Sequence, residues 1–317
     1  MKKHLLGLGT AAIGRPQYIN IRQEATTEFD LEAFQQKGIA VLNDAYNQGI
    51  RYFDTAPGYG MAEQLVLDWV VKKNDPSIEV ATKWGYTYVA NFDPTATQHE
   101  IKEHSLNKLN EQWDSSKKLL PFLSTYQIHS ATFETGVLEN GNVLNRLAEL
   151  KNKYGLLMGI STTGANQVAV IKKALDIEVG GMPLFDVFQV TYNILDQSLA
   201  TIAEEMVSKG KRIIIKEALA NGRIFPNDQF LHYAHLYTSL AGLAKKYNVG
   251  IDAIALRFCM DSIAPYQVLS GAANELHLAQ NSKASHFKLA DKDLAALTDM
   301  AVTPQSYWAE RKLLAWN

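Results

Sequence analysis

The sequence predicts an α/β protein in which parallel strands alternate with helices. Short apolar, β-branched or aromatic segments recur about eight times along the 317 residues, and segments with helical period lie between them. Most of the strand-like segments lack alternation, as in Arg-Ile-Ile-Ile at 212–215, which is typical of strands buried on both faces of a parallel sheet. Because parallel neighbours need a long crossover, the pattern fits either a closed (β/α)8 barrel or an open doubly wound sheet.

The elements follow one another from residue 50 onward. Strands are predicted at 50–53, 78–81, 125–128, 156–160, 187–191, 211–215, 267–269 and, more weakly, 286–289. Helices are predicted at 62–72, 98–112, 142–153, 167–175, 199–209 and 236–247. Ahead of them, Leu-Leu-Gly-Leu-Gly-Thr at 5–10 predicts a short strand and turn, interpreted as an N-terminal β-hairpin that plugs one end of a barrel. No linker or composition shift divides the chain, so we expect one domain over residues 1–317.

Composition excludes several classes of protein. Apolar residues make up 47% of the chain, which is enough for a large core and excludes disorder. The net charge of −2 offers no basic surface to nucleic acid, and no apolar run approaches the ~18 residues of a membrane span. Cys259 is the only cysteine, so neither an intrachain disulfide nor a Cys-rich zinc site can form. We therefore predict a cytoplasmic protein without a nucleic-acid or membrane partner.

Two motifs match known sites only formally. Gly-Leu-Gly-Thr-Ala-Ala at 7–12 satisfies the dinucleotide fingerprint, but Gly14 and Pro16 would break the long helix that the fingerprint must open. His99 and His104 suggest a zinc-binding helix, yet residues five apart diverge by about 140° around a helix and cannot share a metal. We expect both histidines to be solvated helix residues and expect no metal site.

Four chemically active side chains follow predicted strands. Asp54, Lys83 and His129 come directly after three of them, and Tyr59 lies on the loop beyond Asp54. In a (β/α)8 barrel, the carboxyl ends of the strands converge on one mouth. Alone, each residue has an ordinary role: a turn acceptor, a solvated charge, a core histidine or a loop anchor. Together, an acid, an ammonium, an imidazole and a phenol suit acid–base chemistry on a carbonyl.

Seven sequence blocks carry a resemblance to a known family. They are Gly-Leu-Gly-Thr at 7–10, Arg-Tyr-Phe-Asp-Thr-Ala-Pro-Gly-Tyr-Gly at 51–60 with Glu63 beyond it, Ala-Thr-Lys-Trp at 81–84, Gln-Ile-His-Ser at 127–130, Gly-Ile-Ser-Thr at 159–162, Phe-Gln-Val-Thr-Tyr-Asn at 188–193 and Ala-Leu-Ala-Asn-Gly-Arg at 218–223. In their order and spacing, the chain resembles the aldo-keto reductase superfamily. The resemblance implies a (β/α)8 TIM barrel with an N-terminal hairpin. It also implies that the mouth binds NADP(H) or NAD(H) and that an aldehyde or ketone is reduced, or a sugar or small alcohol oxidised.

The resemblance also implies residue roles. Tyr59 would be the general acid, Lys83 would lower its pKa, Asp54 would be the buried partner of Lys83, and His129 would orient the carbonyl. The hydride would come from the cofactor, so no protein nucleophile is needed. The implied cofactor-binding residues are Gly9, Thr10, Ser161, Gln189, Lys216, Ala218, Leu219, Asn221, Gly271, His277, Gln280 and Asn281.

Those residues fall into groups by the part of the cofactor that they would contact. Ser161 and Gln189 would bind the carboxamide, although Gln189 also fits a polar barrel layer. The segment 218–222 would lie along the pyrophosphate. Gln280 and Asn281 would approach the adenine.

The chain departs from the family pattern at two places. Lys216, followed by Glu217, stands where many relatives have an aromatic residue stacked on nicotinamide, and it would either neighbour the ring or pair with a carboxylate. In 269–277, only His277 remains of the usual basic set for a 2′-phosphate, and Glu275 would repel that group. The sequence therefore does not predict a preference for NADP(H).

Two alternative functions and one set of residues stay open. A nicotinamide-binding regulatory subunit with little turnover would keep the same four residues, and a non-redox (β/α)8 lyase or isomerase would bind no nicotinamide. Six aromatic residues would either wall the substrate pocket or pack in the core. They are Trp84, Tyr86, Phe133, Tyr307, Trp308 and Trp316.

Overall fold

A closed barrel of eight parallel strands forms the centre of the computed structural model, which describes residues 4–17, 20–21, 29–93 and 95–316. The strands are β1 (Leu6–Gly9), β2 (Tyr52–Asp54), β3 (Glu79–Trp84), β4 (Leu123–Ala131), β5 (Leu157–Thr162), β6 (Val187–Thr191), β7 (Arg212–Lys216) and β8 (Gln267–Ser270). Each strand pairs with the next in chain order, and β8 closes on β1 through the register Leu6 to Val268. The predicted (β/α)8 barrel is confirmed.

Helices surround the barrel. They are α1 (Ala11–Gly14), α2 (Leu31–Asn47), α3 (Ala62–Lys73), α4 (Leu106–Ser116), α5 (Gly141–Tyr154), α6 (Gln167–Leu175), α7 (Ala200–Ser208), α8 (Ala234–Tyr247), α9 (Ile251–Ser262), α10 (Glu275–Ser282), α11 (Asp291–Thr298) and α12 (Pro304–Lys312). Short 3-10 helices span Lys117–Leu119, Phe133–Thr135, Val137–Glu139, Ala220–Gly222, Asp228–Tyr233 and Lys283–His286. Two small antiparallel hairpins lie outside the barrel: Tyr86–Tyr88 with Glu100–Lys102, called the outer hairpin below, and Glu178–Val179 with Met182–Pro183.

Helix α5 shows how the sequence directs a helix onto the barrel. Asn140 caps its first turn by accepting a hydrogen bond from the Val143 amide, and Gly155 ends it in a left-handed conformation. Val143, Leu147 and Leu150 recur at helical spacing and are buried. Each such side chain contributes about 1.5–3 kcal/mol when fully buried.

The predicted N-terminal hairpin is wrong, because β1 is itself a barrel strand. It pairs in parallel with both β2 and β8. Leu6 and Leu8 are fully buried, whereas the glycines between and after them weaken the apolar signal that marks a strand. Close packing favours glycine at position 7, since a Cβ atom there would lie 3.0 Å from the ring of Tyr52.

Two other predicted elements are also corrected. Residues 286–289 form no strand. His286 ends the 3-10 helix Lys283–His286, residues 287–289 continue as a loop, and the Leu289 amide donates to Asp261 Oδ2 at 3.1 Å. The helix predicted over 98–112 begins later, at Leu106, where Ser105 caps it. Residues 100–102 of the predicted helix instead form the second strand of the outer hairpin.

No helix in the described parts of the chain combines the length and apolar character needed to cross a bilayer.

Candidate active site

The alternation of side chains along each strand places polar side chains at the mouth of the barrel. Five apolar side chains form one interior cluster: Tyr52, Ala81, Val187, Ile214 and Leu269. Because side chains alternate along a strand, the residue two positions further on faces the same interior, one layer nearer the carboxyl ends. On four of the strands those residues are Asp54, Lys83, Gln189 and Lys216, and all four belong to the site predicted from the sequence. Gly271, two positions after Leu269, lies just beyond the end of β8.

A buried ion pair lies at the base of this layer. Lys83 Nζ donates to Asp54 Oδ2 at 2.5 Å and to the carbonyl of Thr55 at 3.1 Å, and the Lys83 side chain is fully buried. Gln189 Nε2 and Gln127 Nε2 donate to the other carboxylate oxygen at 2.7 and 3.5 Å. A buried charge without a partner would bear a large desolvation cost, and here each group has the other as its partner. Asp54 thus fixes the position of the Lys83 side chain.

Tyr59 and His129 meet above this pair. Their Oη and Nε2 atoms are 3.4 Å apart, and the rings meet edge to face at 5.3 Å. Lys83 Nζ lies 4.7 Å from the centre of the Tyr59 ring. The structure therefore brings together all four predicted catalytic residues.

Close backbone packing holds the loop that carries Tyr59. A Cβ atom on Gly14 would lie 2.2 Å from the Tyr59 carbonyl oxygen, so only glycine fits there. Gly60 has a φ of +63°, and a Cβ atom on it would lie 2.4 Å from the Gly14 carbonyl oxygen. The two glycines let the segment after β1 pack directly against the Tyr59 loop.

Burial keeps the phenol and the imidazole uncharged. It raises the pKa of Tyr59 well above its usual range; Asp54 raises it further, and Arg15 lowers it. Burial also lowers the pKa of His129 well below its usual range, and Lys83, Arg15 and Lys216 act in the same direction. At neutral pH the site presents a phenol that can donate a proton beside a neutral imidazole. That Lys83 lowers the pKa of Tyr59 stays a prediction.

Arg15 is a residue of the mouth that the sequence analysis missed. Its Nη1 donates to Glu100 Oε1 at 2.7 Å and to the Gly58 carbonyl at 3.0 Å. Its guanidinium carbon lies 5.4 Å from the ring centre of Tyr59 and 4.8 Å from that of Trp316. The contacts join segments far apart in sequence, so no local motif marks them.

The expectation that His99 and His104 are solvated helix residues is wrong. His99 immediately precedes the second strand of the outer hairpin, and its ring stacks on that of Trp316 with the ring centres 4.5 Å apart. His104 Nε2 hydrogen-bonds the carbonyl of His129 at 2.9 Å, and burial lowers its pKa to about 4. Among the residues with described positions, no group of three or more His, Cys, Asp or Glu could hold a metal ion.

The six aromatic residues left open separate by position. Trp84 and Tyr307 are fully buried packing residues, and Trp308 is buried with its Nε1 donating to Asp196 at 3.1 Å. Tyr86 packs 4.6 Å from the His129 ring, and Trp316 packs on Arg15, so both line the mouth. Phe133 is 47% exposed, and its role as a wall stays a prediction.

Lys216 pairs with a carboxylate, which was one of its two predicted roles. Its Nζ donates to Thr191 Oγ1 at 2.9 Å and lies 3.9 Å from Glu217 Oε1. Burial lowers the pKa of Lys216, against the opposite effect of Glu217. Burial alone would raise the pKa of Glu217, but the charges of Lys216 and Arg311 bring it down to about 2.

The loop after β7 contains several residues in the left-handed region. Glu217, Ala220 and Asn221 have φ angles of +55°, +48° and +55°, so the chain turns sharply there. Leu219 is near the right-handed helical region, and Ala220 follows it in the left-handed region. The amides of Ala220 and Gly222 donate to the carbonyls of Glu217 and Leu219 within this turn, at 2.9 and 3.0 Å. That Ala218, Leu219 and Asn221 bind the pyrophosphate stays a prediction.

Three other predicted cofactor residues already have partners in the barrel. Ser161 Oγ accepts from the Ser130 amide at 2.8 Å, which leaves its hydroxyl proton for a ligand. Gln189 gives its nitrogen to Asp54, which leaves its carbonyl oxygen as an acceptor. Both fit a carboxamide. Thr10, next to Gly9 at the end of β1, donates its hydroxyl to the Asp54 carbonyl at 3.0 Å.

The predicted adenine end contains an acidic residue that the sequence analysis did not single out. With its amide nitrogen turned toward Asp252, Asn281 donates to Asp252 Oδ2 at 2.7 Å and accepts from Ser270 Oγ at 2.8 Å. Burial raises the pKa of Asp252, while Lys283 and His277 lie close enough to oppose that shift. Gln280 is half-buried beside Asn281, and Gly271 is exposed.

A closed (β/α)8 barrel with an acid, an ammonium, a phenol and an imidazole at its mouth suits the acid–base chemistry of carbonyls and alcohols. The Aldo/keto reductase family model matches residues 5–301 of the chain. The chain belongs to this family. It is an NAD(P)(H)-dependent oxidoreductase that interconverts carbonyl compounds and alcohols.

Individual relatives are distant. The chain is 26% identical to the NADH-specific methylglyoxal reductase of Escherichia coli (strain K12), over 93% of this chain and 94% of that protein. It is 22% identical to the pyridoxal 4-dehydrogenase of Microbacterium luteolum, over 87% of each. A glycerol dehydrogenase structure from Gluconobacter oxydans superposes with a TM-score of 0.71 at 19% identity, over 95% of this chain and 92% of that one. At that identity, the structural likeness shows the fold alone.

Proposed function

We propose that Tyr59 is the proton donor for carbonyl reduction and that His129 orients the carbonyl oxygen. The observation that carries the proposal is the meeting of the Tyr59 hydroxyl and His129 Nε2 at 3.4 Å over the buried Lys83–Asp54 pair. Both ring systems are uncharged, so both can act as hydrogen-bond partners of a neutral carbonyl. The bound nicotinamide supplies the hydride.

The roles of the four residues follow from charge balance. As the carbonyl oxygen becomes negative, it takes the proton of the Tyr59 hydroxyl, which leaves a phenolate. The Lys83 ammonium, 4.7 Å from the ring centre, stabilises that negative charge. Asp54 fixes the position of Lys83, and Gln189 holds Asp54. In the reverse direction, the phenolate accepts the proton of an alcohol.

The charged residues around the predicted 2′-phosphate position support only a weak difference in affinity between NAD(H) and NADP(H). Asp252 and Glu275 oppose a 2′-phosphate, whereas His277 and Lys283 attract it. A relative whose name specifies NADH agrees with use of the unphosphorylated cofactor. We expect both NAD(H) and NADP(H) to bind, with the cofactor contacts predicted above.

The substrate that we propose is a small, uncharged aldehyde, ketone or 2-oxoaldehyde. Two relatives have names that refer to methylglyoxal and pyridoxal, and each of these is a small carbonyl compound. Tyr86 and Trp316 would give the mouth an apolar wall. We also propose that residues 1–317 act as one cytoplasmic domain without a nucleic-acid partner.

The test is a panel of small carbonyls with NADH and with NADPH, comparing the protein with its Tyr59→Phe variant. We expect the variant to lose most turnover while keeping its cofactor affinity. Tyr52→Phe is a matched control, because Tyr52 is also buried and its hydroxyl has no hydrogen-bond partner among the described residues. A Tyr59→Phe rate within about twofold of wild type would refute the proposal. Cofactor binding without turnover would support the regulatory-subunit alternative.

A further inference from the structure

The Arg15 guanidinium contacts two aromatic rings, one of them the ring of the proposed acid. Its guanidinium carbon lies 5.4 Å from the ring centre of Tyr59 and 4.8 Å from that of Trp316. The residue is 3% exposed. Hydrogen bonds to Glu100 and to the Gly58 carbonyl fix its position. A permanent cation is therefore held against the ring that would become negative during the reaction.

The geometry suits charge stabilisation better than substrate binding. An arginine over an aromatic ring is attracted to the ring face, and burial strengthens that attraction. A phenolate ring carries full negative charge, so the attraction increases when Tyr59 loses its proton. The Gly58 contact ties the guanidinium to the loop that carries Tyr59, so the cation and the ring are held by the same segment.

We propose that Arg15 is a positioning residue for Tyr59 that stabilises the phenolate formed in the reaction, with Glu100 moderating its charge. The inference rests on the proposed function, because it requires Tyr59 to be the acid. Charged or titratable groups face Tyr59 from several elements of the mouth. They are Arg15 after α1, Asp54 on β2, Lys83 on β3, Glu100 on the outer hairpin, His129 on β4 and Glu217 after β7.

The sign of each charge gives the expected pH dependence. Arg15 favours the phenolate, so its loss raises the pKa of Tyr59, whereas Glu100 disfavours the phenolate, so its loss lowers that pKa. Alcohol oxidation needs the phenolate and becomes faster as the pH rises. Loss of Arg15 should therefore move the rising limb of the oxidation profile to higher pH, and loss of Glu100 should move it to lower pH.

The cleanest comparison is made in the Glu100→Gln background, where removing Arg15 leaves no unpaired carboxylate. Relative to Glu100→Gln, the double variant Arg15→Gln/Glu100→Gln should oxidise alcohol about tenfold more slowly at each pH at which the rate is still rising. A tenfold lower rate corresponds to a shift of the rising limb by about one pH unit. The KM should change little, because Arg15 acts through Tyr59. Arg15→Lys keeps the charge and should retain most of the rate.

The control is Arg257→Gln, which removes a buried arginine paired with Asp261 on α9. It should lower the melting temperature without moving the pH profile. If the Arg15 double variant also loses only stability, with a limb within about 0.2 unit of its parent, the inference is overturned. If that variant does not fold, Glu100→Gln alone decides: a limb that stays or moves upward overturns the inference. An active Tyr59→Phe would instead refute the proposed function, so the two failures are distinguishable.

Discussion

Lys83→Met should uncouple the buried ion pair at the base of the site. Methionine replaces the stem of the lysine without its charge, so little volume is lost. Asp54, 2% exposed, then stays buried without its cation. Breaking such a pair costs about 3–5 kcal/mol. Gln189 and Gln127 still donate to Asp54 Oδ1, so we expect a loss near the lower end of that range.

The cost should depend on pH in a defined direction. Burial of an unpaired carboxylate favours its protonated form, so the folded variant binds a proton more readily than the unfolded chain. Stability then falls as the pH rises, and the deficit relative to wild type should be larger at pH 7.5 than at pH 5. Urea unfolding at the two values measures this difference.

The companion variant Lys83→Met/Asp54→Asn separates stability from catalysis. It buries no unpaired charge, so it should recover much of the lost stability while turnover stays low. Turnover by Lys83→Met should fall because the phenolate of Tyr59 loses its neighbouring cation. If Lys83→Met keeps full activity and unfolds within about 1 kcal/mol of wild type at pH 7.5, the assigned role of the pair is incorrect.

Three further predictions concern other parts of the mouth. His129→Ala should lower kcat/KM by about 10²-fold, and unchanged kinetics with unchanged melting would return His129 to an ordinary core role. Because Lys216 and Arg311 hold the pKa of Glu217 at about 2, its stabilising contribution should be full above about pH 4.5 and lost as the pH falls toward 2. Acid unfolding of Glu217→Gln tests this; a wild-type profile would contradict it. The dissociation constants of NADP(H) and NAD(H) should differ by less than about thirtyfold, because charges of both signs surround the predicted 2′-phosphate position. An NADPH preference above about a hundredfold would contradict that expectation.

The limits of sequence-based prediction are clear at β1. Continuous β-branched residues predict parallel strands such as β7, whereas β1 alternates leucine with glycine. Close packing favours glycine at position 7, where a Cβ atom would lie 3.0 Å from the ring of Tyr52. The sequence pattern instead predicts the eighth strand at 286–289. Apolar residues there serve loop packing, which local pattern does not distinguish from a short strand.

The residues of the site also differ in how far the sequence predicts them. Asp54, Lys83 and His129 were predictable because strand ends in a barrel converge, so position along a strand gives position in space. Arg15, Glu100 and Trp316 come together from three distant segments, and only the folded chain makes them neighbours.

The charges around His129 connect the buried pairs to the chemistry. Burial and the positive charges of Lys83, Arg15 and Lys216 all lower the pKa of His129. Each of these cations has a carboxylate partner, yet their combined effect on the imidazole is that of positive potential. The same potential acts on a substrate oxygen placed beside His129, where negative charge develops during reduction. Cations held in advance by buried partners need not reorganise when that charge appears, which is the condition under which electrostatic stabilisation is most effective.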